Sequence, residues 1–233
     1  MRKNVIITGA SRGIGKSIAL RFSKENFNVF IFGRDENELK KVKSEIEKNN
    51  AYCEYFIGDV ADLTFVKNSI EQILTKEEKI DVLINNAGIA IFKKFIDTSL
   101  EDFKNQINAN VIGVFNFTKA VIENMIENKN GTVINIVSQA GKNGFDFGTT
   151  YSATKHAVMG FSKSLMLEVR KFDIRIITVC PGSTNTEMIK NSPIHKNNKQ
   201  FLSPKDVAEI TYSIVNLPQN ALVSDIEIRP NNP

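Results

Sequence analysis

The stretch that decides the fold reads VIITGASRGIG over residues 5–15. Its β-branched residues predict a short strand, and Ile18, Ala19 and Phe22 follow the glycines at helical spacing. Glycines permit a tight turn and let backbone N–H groups approach a phosphate, which the positive end of a helix dipole favours. A turn that serves packing alone is the alternative, but a strand before it and a helix after it favour nucleotide binding.

The same alternation of strand and helix continues along the chain. Further strands are predicted at 29–32, 52–57, 82–84, 133–137, 174–179 and 223–229, with helical patterns between them. The fold class is therefore α/β, a Rossmann-type doubly wound parallel sheet of about seven strands. Helices on both faces would make it a three-layer sandwich. Residues 1–233 are predicted to form a single NAD(P)-binding domain, and the polar stretch 182–203 a substrate loop or lid.

Composition narrows the class of protein. The chain has 30 Lys and Arg against 26 Asp and Glu, and this balance of +4 without long single-sign blocks predicts no nucleic-acid partner. Its two cysteines lie in or beside predicted strands, which indicates buried thiols in a reducing compartment. No apolar run is long enough to span a bilayer. We expect a cytoplasmic protein with no membrane partner and no metal.

The end of the second predicted strand bears on cofactor choice. An acidic residue here is typical of NAD binding, whereas an arginine accommodates the 2′-phosphate of NADP. Arg34 and Asp35 therefore point in opposite directions. Asp35 stands three residues before Glu38 at a helix start, so a capping box explains it. With Arg12 as a second guanidinium, the sequence favours NADP(H) over NAD(H).

Polar and small residues also follow the third and fourth strands. Asp59 could contact an adenine amino group or simply fix its turn. The small residues of 85–88 would permit close approach to a flat ligand, although a plain loop is the alternative. Because ligands of such sheets bind outside the carboxyl ends of the strands, these segments are expected to meet the glycine turn.

Tyr151 and Lys155 are the candidate proton-transfer pair. At four residues' spacing on one helix they share a face, and the ammonium could lower the pKa of the phenol. Such a pair also occurs on many solvated helices. Ser138 ends the fifth predicted strand and could supply a second hydroxyl. Asn110 lies in a long apolar helical stripe from Leu100 to Met125, and a satisfied buried amide is its ordinary explanation.

Together these motifs resemble the short-chain dehydrogenase/reductase family. The matching elements are TGASRGIG at 8–15, Asp59-Val60, NNAG at 85–88, Asn110, Ser138, YSATK at 151–155, and Pro181-Gly182 with Thr186. The C-terminal segment departs from the family, because the chain stops at residues 226–230 and their short tail without paired glycines. That departure puts one side of the pocket and one subunit contact in question.

The resemblance implies a role for each residue. Tyr151 would exchange a proton with the substrate oxygen, and Ser138 would hydrogen-bond that oxygen. Lys155 would hold the nicotinamide ribose and lower the Tyr151 pKa, and Asn110 would hold a water in a relay to Lys155. The implied cofactor contacts are Gly9, Ser11, Arg12, Gly13, Ile14, Gly15, Arg34, Asp59, Val60, Asn86, Ala87, Gly88, Tyr151, Lys155, Pro181, Gly182 and Thr186.

The implied function is oxidoreduction between a ketone and a secondary alcohol with NADP(H). A 3-oxoacyl thioester ranks slightly ahead of a short 3-hydroxy acid as substrate, by family frequency alone. A non-catalytic NADP(H)-binding regulator is the alternative of another class, because a fold does not fix a function. Members of the family form dimers or tetramers through two long helices, so a homodimer or homotetramer is expected.

Overall fold

The computed structural model describes residues 2–190, 192–193, 200–218 and 220–231. The strands are β1 (Lys3–Thr8), β2 (Phe27–Gly33), β3 (Cys53–Ile57), β4 (Val82–Asn85), β5 (Gly131–Ile136), β6 (Ile174–Pro181) and β7 (Asp225–Ile228). The helices are α1 (Gly13–Phe22), α2 (Glu36–Glu47), α3 (Leu63–Lys76), α4 (Leu100–Ile107), α5 (Gly113–Glu127), α6 (Thr149–Val169), α7 (Glu187–Lys190) and α8 (Pro204–Val215). Each predicted strand is present, with its ends shifted by a few residues.

All seven strands form one parallel sheet in the order β3-β2-β1-β4-β5-β6-β7. The order reverses between β1 and β4, because the chain builds outward from β1 first to β2 and β3 and then to the other side. Strands covered on both faces read as continuous apolar runs, and every residue of β6 is buried. The predicted doubly wound fold is confirmed.

Two apolar cores lie on opposite faces of the sheet. One packs α1, α2 and α8 through residues such as Phe22, Leu39 and Val207. The other packs α3 and α5 through residues such as Ile70 and Phe117. The sheet is therefore the middle layer of a three-layer arrangement, and its carboxyl edge is left for binding. Among the described residues, no helix is long and apolar enough to cross a bilayer.

Helix starts follow the capping signals of the sequence. Ser99 and Ser203 each form a capping box, with Asp102 and Asp206 respectively. Asp35 forms only half of the predicted box. Its carboxylate accepts the Glu38 N–H at 3.1 Å, but the Glu38 carboxylate binds Lys41 instead of reaching back. Asp35 is therefore an N-cap residue, with one of the two hydrogen bonds of a capping box.

The apolar stripe from Leu100 to Met125 is not one uninterrupted α-helix. A π-helical segment, Asn108–Ile112, separates α4 from α5. Along this stripe Val121 and Met125 are buried, whereas Leu100 and Phe115 are 67% and 49% exposed. Such segments are frequent at functional sites, and this one carries Asn110.

The predicted loop at 182–203 lies partly outside the described residues, which omit 191 and 194–199. Its described part contains α7. Its two ends are held together, because Asn185 N–H donates to Leu202 O at 2.8 Å and Leu202 N–H donates to Ser183 O at 2.9 Å. The segment therefore leaves β6 and returns to the same place before α8 begins.

Candidate active site

The glycine turn is tied to the end of β4 by hydrogen bonds. The Thr8 hydroxyl oxygen accepts the N–H groups of Asn86 and Ala87, each at 3.0 Å. The Asn86 side chain donates to the carbonyls of Thr8 and Gly9 at 2.9 and 3.0 Å. Both amide hydrogens of Asn86 are thus used within the protein. Asn86 therefore holds the turn in place, and Ala87 and Gly88 follow it in the chain.

Two glycines in this turn have no room for a side chain. A Cβ on Gly9 would lie 2.7 Å from Ala87 Cα, and Gly9 also has a φ of +64°. A Cβ on Gly15 would lie 2.3 Å from Gly9 O and 2.4 Å from the Asn86 amide nitrogen. The glycines therefore allow the close packing of the turn against the residues that follow β4. Ser11, Arg12 and Ile14 lie on the same turn.

The two candidate phosphate-binding arginines lie at the surface with acidic neighbours. Arg34 is 3.9 Å from an oxygen of Asp59, and Arg12 is 2.8 Å from Glu187 at the start of α7. These exposed pairs are weak, so both guanidinium groups can exchange partners. The other Asp59 oxygen accepts the Ala61 N–H at 2.9 Å, which is the turn-fixing role considered from sequence.

Four further candidates lie along the same edge of the sheet. Val60 is buried, and it packs against Gly113, where a Cβ would come within 2.5 Å of the valine. Pro181 ends β6, and the Gly182 N–H donates to Ile228 O at 2.8 Å. The Thr186 methyl lies beside Gly13, at 3.4 Å from where a Cβ would be. Strand ends distant in sequence therefore lie along one edge of the sheet, and we call the space beside that edge the groove.

Tyr151, Lys155 and Ser138 meet beside that groove. α6 begins two residues before Tyr151, and its first turns carry both Tyr151 and Lys155 into the interior, where they are 8% and 6% exposed. The Ser138 side chain is near enough to the Tyr151 hydroxyl to influence its ionisation. The Lys155 ammonium donates to Ile136 O at 3.1 Å and lies 5.7 Å from the centre of the Tyr151 ring. The predicted tyrosine, lysine and serine are thus brought together.

Burial dominates the ionisation of this pair. It raises the pKa of Tyr151 to about 12, against a lowering effect of Ser138, and lowers the pKa of Lys155 to about 8. Burial therefore sets the direction of the Tyr151 pKa shift in this structure, and the lowering of that pKa by Lys155 stays a prediction. A protonated phenol at neutral pH is the form that a proton donor needs.

Asn110 connects the π-helical segment to this site. Its side chain accepts the Ile89 N–H at 2.8 Å and donates to Ile89 O and to the Thr154 hydroxyl, both at 2.9 Å. A Cβ on Gly88 would lie 2.9 Å from the Asn110 oxygen and 3.8 Å from the Lys155 nitrogen. The satisfied amide considered from sequence is present, and it lies next to the catalytic candidates.

Sequence reasoning missed Gln106, which forms a second set of buried hydrogen bonds beside that of Asn110. Its side chain donates to the Thr150 hydroxyl at 2.7 Å and accepts the Ile91 N–H at 3.2 Å, and the residue is fully buried. The two amides therefore clamp the 89–91 segment to the helix of Tyr151. A glutamine four residues before Asn110, on the same side of an otherwise apolar stripe, was the available signal.

Replacing Gln106 by leucine should lower the free energy of unfolding by about 1–3 kcal/mol, because the Ile91 N–H and the Thr150 hydroxyl lose a buried partner. Urea denaturation of the purified variant measures this. Asn105→Leu, at an exposed position of α4, is the control and should stay within about 0.5 kcal/mol of wild type. Wild-type stability of Gln106→Leu would show that the clamp contributes nothing.

Comparison with known proteins agrees with this geometry. The sequence model of a family described as short chain dehydrogenase matches residues 3–197. The chain belongs to the short-chain dehydrogenase/reductase family. The match takes in the glycine turn, the Ser138 strand end and the Tyr151 helix. The resemblance inferred from the motifs is confirmed.

Individual members of the short-chain dehydrogenase/reductase family match over nearly the whole chain. The oxidoreductase UcpA of Escherichia coli K12 is 32% identical over 228 residues, covering 97% of this chain and 84% of UcpA. An NADP-dependent 3-hydroxy acid dehydrogenase of Schizosaccharomyces pombe is 31% identical over 242 residues, covering 99% and 93%. An alcohol dehydrogenase from the archaeon Thermococcus sibiricus, complexed with 5-hydroxy-NADP, superposes with a TM-score of 0.90 at 26% identity, covering 98% and 96%.

Proposed function

We propose that this short-chain dehydrogenase/reductase interconverts a ketone and a secondary alcohol with NADP(H), using Tyr151 as general acid and base. The observation that carries the proposal is the burial of Tyr151 and Lys155 on α6, with the Lys155 ammonium 5.7 Å from the centre of the Tyr151 ring and Ser138 near the Tyr151 hydroxyl. The hydroxyl groups of Tyr151 and Ser138 can hydrogen-bond a carbonyl oxygen as its negative charge grows. A protein that only bound nucleotide would have no use for this arrangement.

We propose that the groove holds a dinucleotide. The close packing of Gly9 and Gly15 fixes the turn before α1, and the first N–H groups of a helix favour an anion. We assign the pyrophosphate to residues 9–15, the adenosine to Asp59 and Val60, and the nicotinamide end to residues 86–88, Lys155, 181–182 and Thr186. When bound, the cofactor supplies or accepts the hydride.

The proton is the contribution of the chain itself. With its pKa raised to about 12, Tyr151 keeps its proton at neutral pH and can donate it to the substrate oxygen during reduction. In the oxidative direction the phenolate must form first, and a nearby positive charge then becomes necessary. Lys155 is in place to give that charge while it is protonated, and Asn110 to position a water that returns the proton.

The assay follows NADPH absorbance with purified protein and a panel of ketones that includes a 3-oxoacyl thioester, a diketone and a 3-oxo acid. Oxidation of NADPH that depends on the ketone, with the alcohol recovered as product, is the expected result. Tight NADPH binding without turnover on any of these compounds would reject the proposal in favour of a nucleotide-binding regulator. The 3-oxoacyl thioester is included because it ranks first by family frequency alone.

Arg34→Ala should raise the Kd for NADPH about tenfold or more and leave that for NADH nearly unchanged, because a charged hydrogen bond to the 2′-phosphate is lost. The exposed contact with Asp59 lost at the same time is worth little. Titration of cofactor fluorescence measures both constants.

Asp35→Ser is the matched control for Arg34, because serine keeps an N-cap oxygen for the Glu38 N–H. We expect both cofactor affinities to stay near wild type. Equal losses for NADPH and NADH in Arg34→Ala, or a selective loss of NADH in Asp35→Ser, would reverse the cofactor assignment.

The setting in which this enzyme works is also proposed. We propose a cytoplasmic enzyme acting on a small molecule, without a nucleic-acid or membrane partner. The exposed side chains of Leu100, Ile112 and Phe115 on α4, α5 and the segment between them support self-association as a homodimer or homotetramer.

A further inference from the structure

An aromatic cluster stands directly against the proposed proton donor. The ring of Phe92 lies 5.5 Å from the ring of Tyr151 at an interplanar angle of 70°, and that of Phe145 lies 6.4 Å away at 78°. Phe92 and Phe145 also contact each other at 5.8 Å and 62°. All three pairs are edge-to-face, the arrangement that aromatic quadrupoles favour. We call these three residues the aromatic wall.

The chain holds the aromatic wall in a defined position. The Phe145 ring covers Gly148, where a Cβ would come within 2.3 Å of the ring, so only glycine leaves room for it. The Lys93 N–H donates to Phe147 O at 3.1 Å, which ties the segment after β4 to the segment before α6. The two phenylalanines are therefore set in place before any substrate arrives.

The wall is apolar but not closed. Phe145 is 36% exposed and Phe92 is partly exposed, so both keep ring surface that a ligand can cover. Two basic side chains near these segments are engaged in ion pairs, because Lys93 binds Asp102 at 2.7 Å and Lys142, four residues after Ser138, binds Asp225 at 2.7 Å. A substrate carboxylate that approached either lysine would have to break its ion pair.

We propose that the aromatic wall is the subsite for the substituent of an uncharged ketone, and that this substituent is an aromatic ring. The inference rests on the proposed function and adds the substrate class to it. A planar ring can add a further edge-to-face or offset-stacked contact to Phe92 and Phe145 while the carbonyl reaches Tyr151 and Ser138. Hydride then goes from NADPH to the carbonyl carbon and the Tyr151 proton to the oxygen, giving the secondary alcohol and NADP⁺.

Matched substrates test the class. We would measure kcat/KM with 1-phenyl-1,2-propanedione and 2,3-butanedione, which differ by phenyl against methyl, and with ethyl acetoacetate and acetoacetate, which differ by charge. The expected result is at least about tenfold preference for the phenyl compound, the effect of one to two aromatic contacts. The neutral ester should likewise be preferred over the acid.

Variants test the residues. Phe92→Leu and Phe145→Leu keep apolar volume but remove the ring, so each should cut several-fold the ratio of kcat/KM for the phenyl diketone to kcat/KM for 2,3-butanedione, both measured on the same variant. Phe147→Leu is the matched control. Phe147 is on the same loop and is 37% exposed, and among the described residues its ring makes no contact with Tyr151. It should keep the wild-type preference.

The outcomes separate this inference from the proposed function. If both diketones are reduced equally well, or if the leucine variants keep the preference, the aromatic subsite is rejected and the oxidoreductase stands. If no ketone is reduced, the proposed function fails. A binding measurement then tests whether the aromatic subsite exists. For that, 1-phenyl-1,2-propanedione is titrated into NADPH-loaded Tyr151→Phe protein while NADPH fluorescence is followed. Saturation that Phe92→Leu weakens would support the subsite, and no saturation would reject it.

Discussion

Replacing Tyr151 by phenylalanine should lower kcat for ketone reduction by about 10²- to 10⁴-fold and leave the Kd for NADPH within about twofold. The substitution removes one hydroxyl group and keeps the ring that packs against Phe92 and Phe145. It therefore removes the donated proton with little change in the shape of the site. Steady-state assays and a cofactor titration on the same preparation measure the two quantities separately.

Tyr52→Phe is the matched control for this change. The Tyr52 ring is 41% exposed, and its hydroxyl donates to Glu54 at 2.8 Å, far from the groove in the order of the sheet. Loss of that hydroxyl should leave kcat unchanged. A Tyr151→Phe variant with a near-normal rate would remove Tyr151 from the mechanism and leave Ser138 as the remaining hydroxyl at the site.

Alanine at Gly15 should both weaken cofactor binding and destabilise the fold. Its Cβ would lie 2.3 Å from Gly9 O and 2.4 Å from the amide nitrogen of Asn86. Relief of that overlap requires movement of the turn and loss of the Asn86 hydrogen bonds to Thr8 and Gly9. We expect a loss of about 1–3 kcal/mol in the free energy of unfolding and at least about a tenfold rise in the Kd for NADPH.

Gly160→Ala provides the control within a helix. Gly160 lies in α6, and an added Cβ there would meet nothing within 4 Å. Alanine should therefore stabilise the protein by about 0.5–1 kcal/mol through helix propensity. If the turn is packed as described, thermal or urea unfolding will show changes of opposite sign in the free energy of unfolding of the two variants. A Gly15→Ala variant with wild-type stability and NADPH affinity would contradict it.

Local patterns in the sequence were sufficient for most of the fold. Apolar runs and capping residues such as Ser99 and Ser203 act over a few neighbouring residues, so strands and helix starts could be read directly. The break at Asn108–Ile112 could not, because the apolar stripe alone predicts one continuous helix through it. The bonds from Asn110 to Ile89 and Thr154 lie 21 and 44 residues away in the chain.

The candidate site could likewise be predicted only in part from the sequence. The spacing of Tyr151 and Lys155 predicted that they share one helical face, and the glycines of residues 9–15 predicted a nucleotide-binding turn. The direction of each pKa shift could not be predicted from spacing, because spacing reports a neighbouring charge but not the burial of both groups.

By itself, the sequence determined the succession of strands and helices and pointed to the candidate nucleotide turn and the candidate catalytic side chains, because each depends on residues close together in the chain. Only the tertiary structure decided that Gln106 clamps the catalytic helix and that Phe92 stands against Tyr151. Those contacts join segments 44 and 59 residues apart in the numbering. Their geometry is set by the packing of the helices and loops around the sheet, which no local pattern contains.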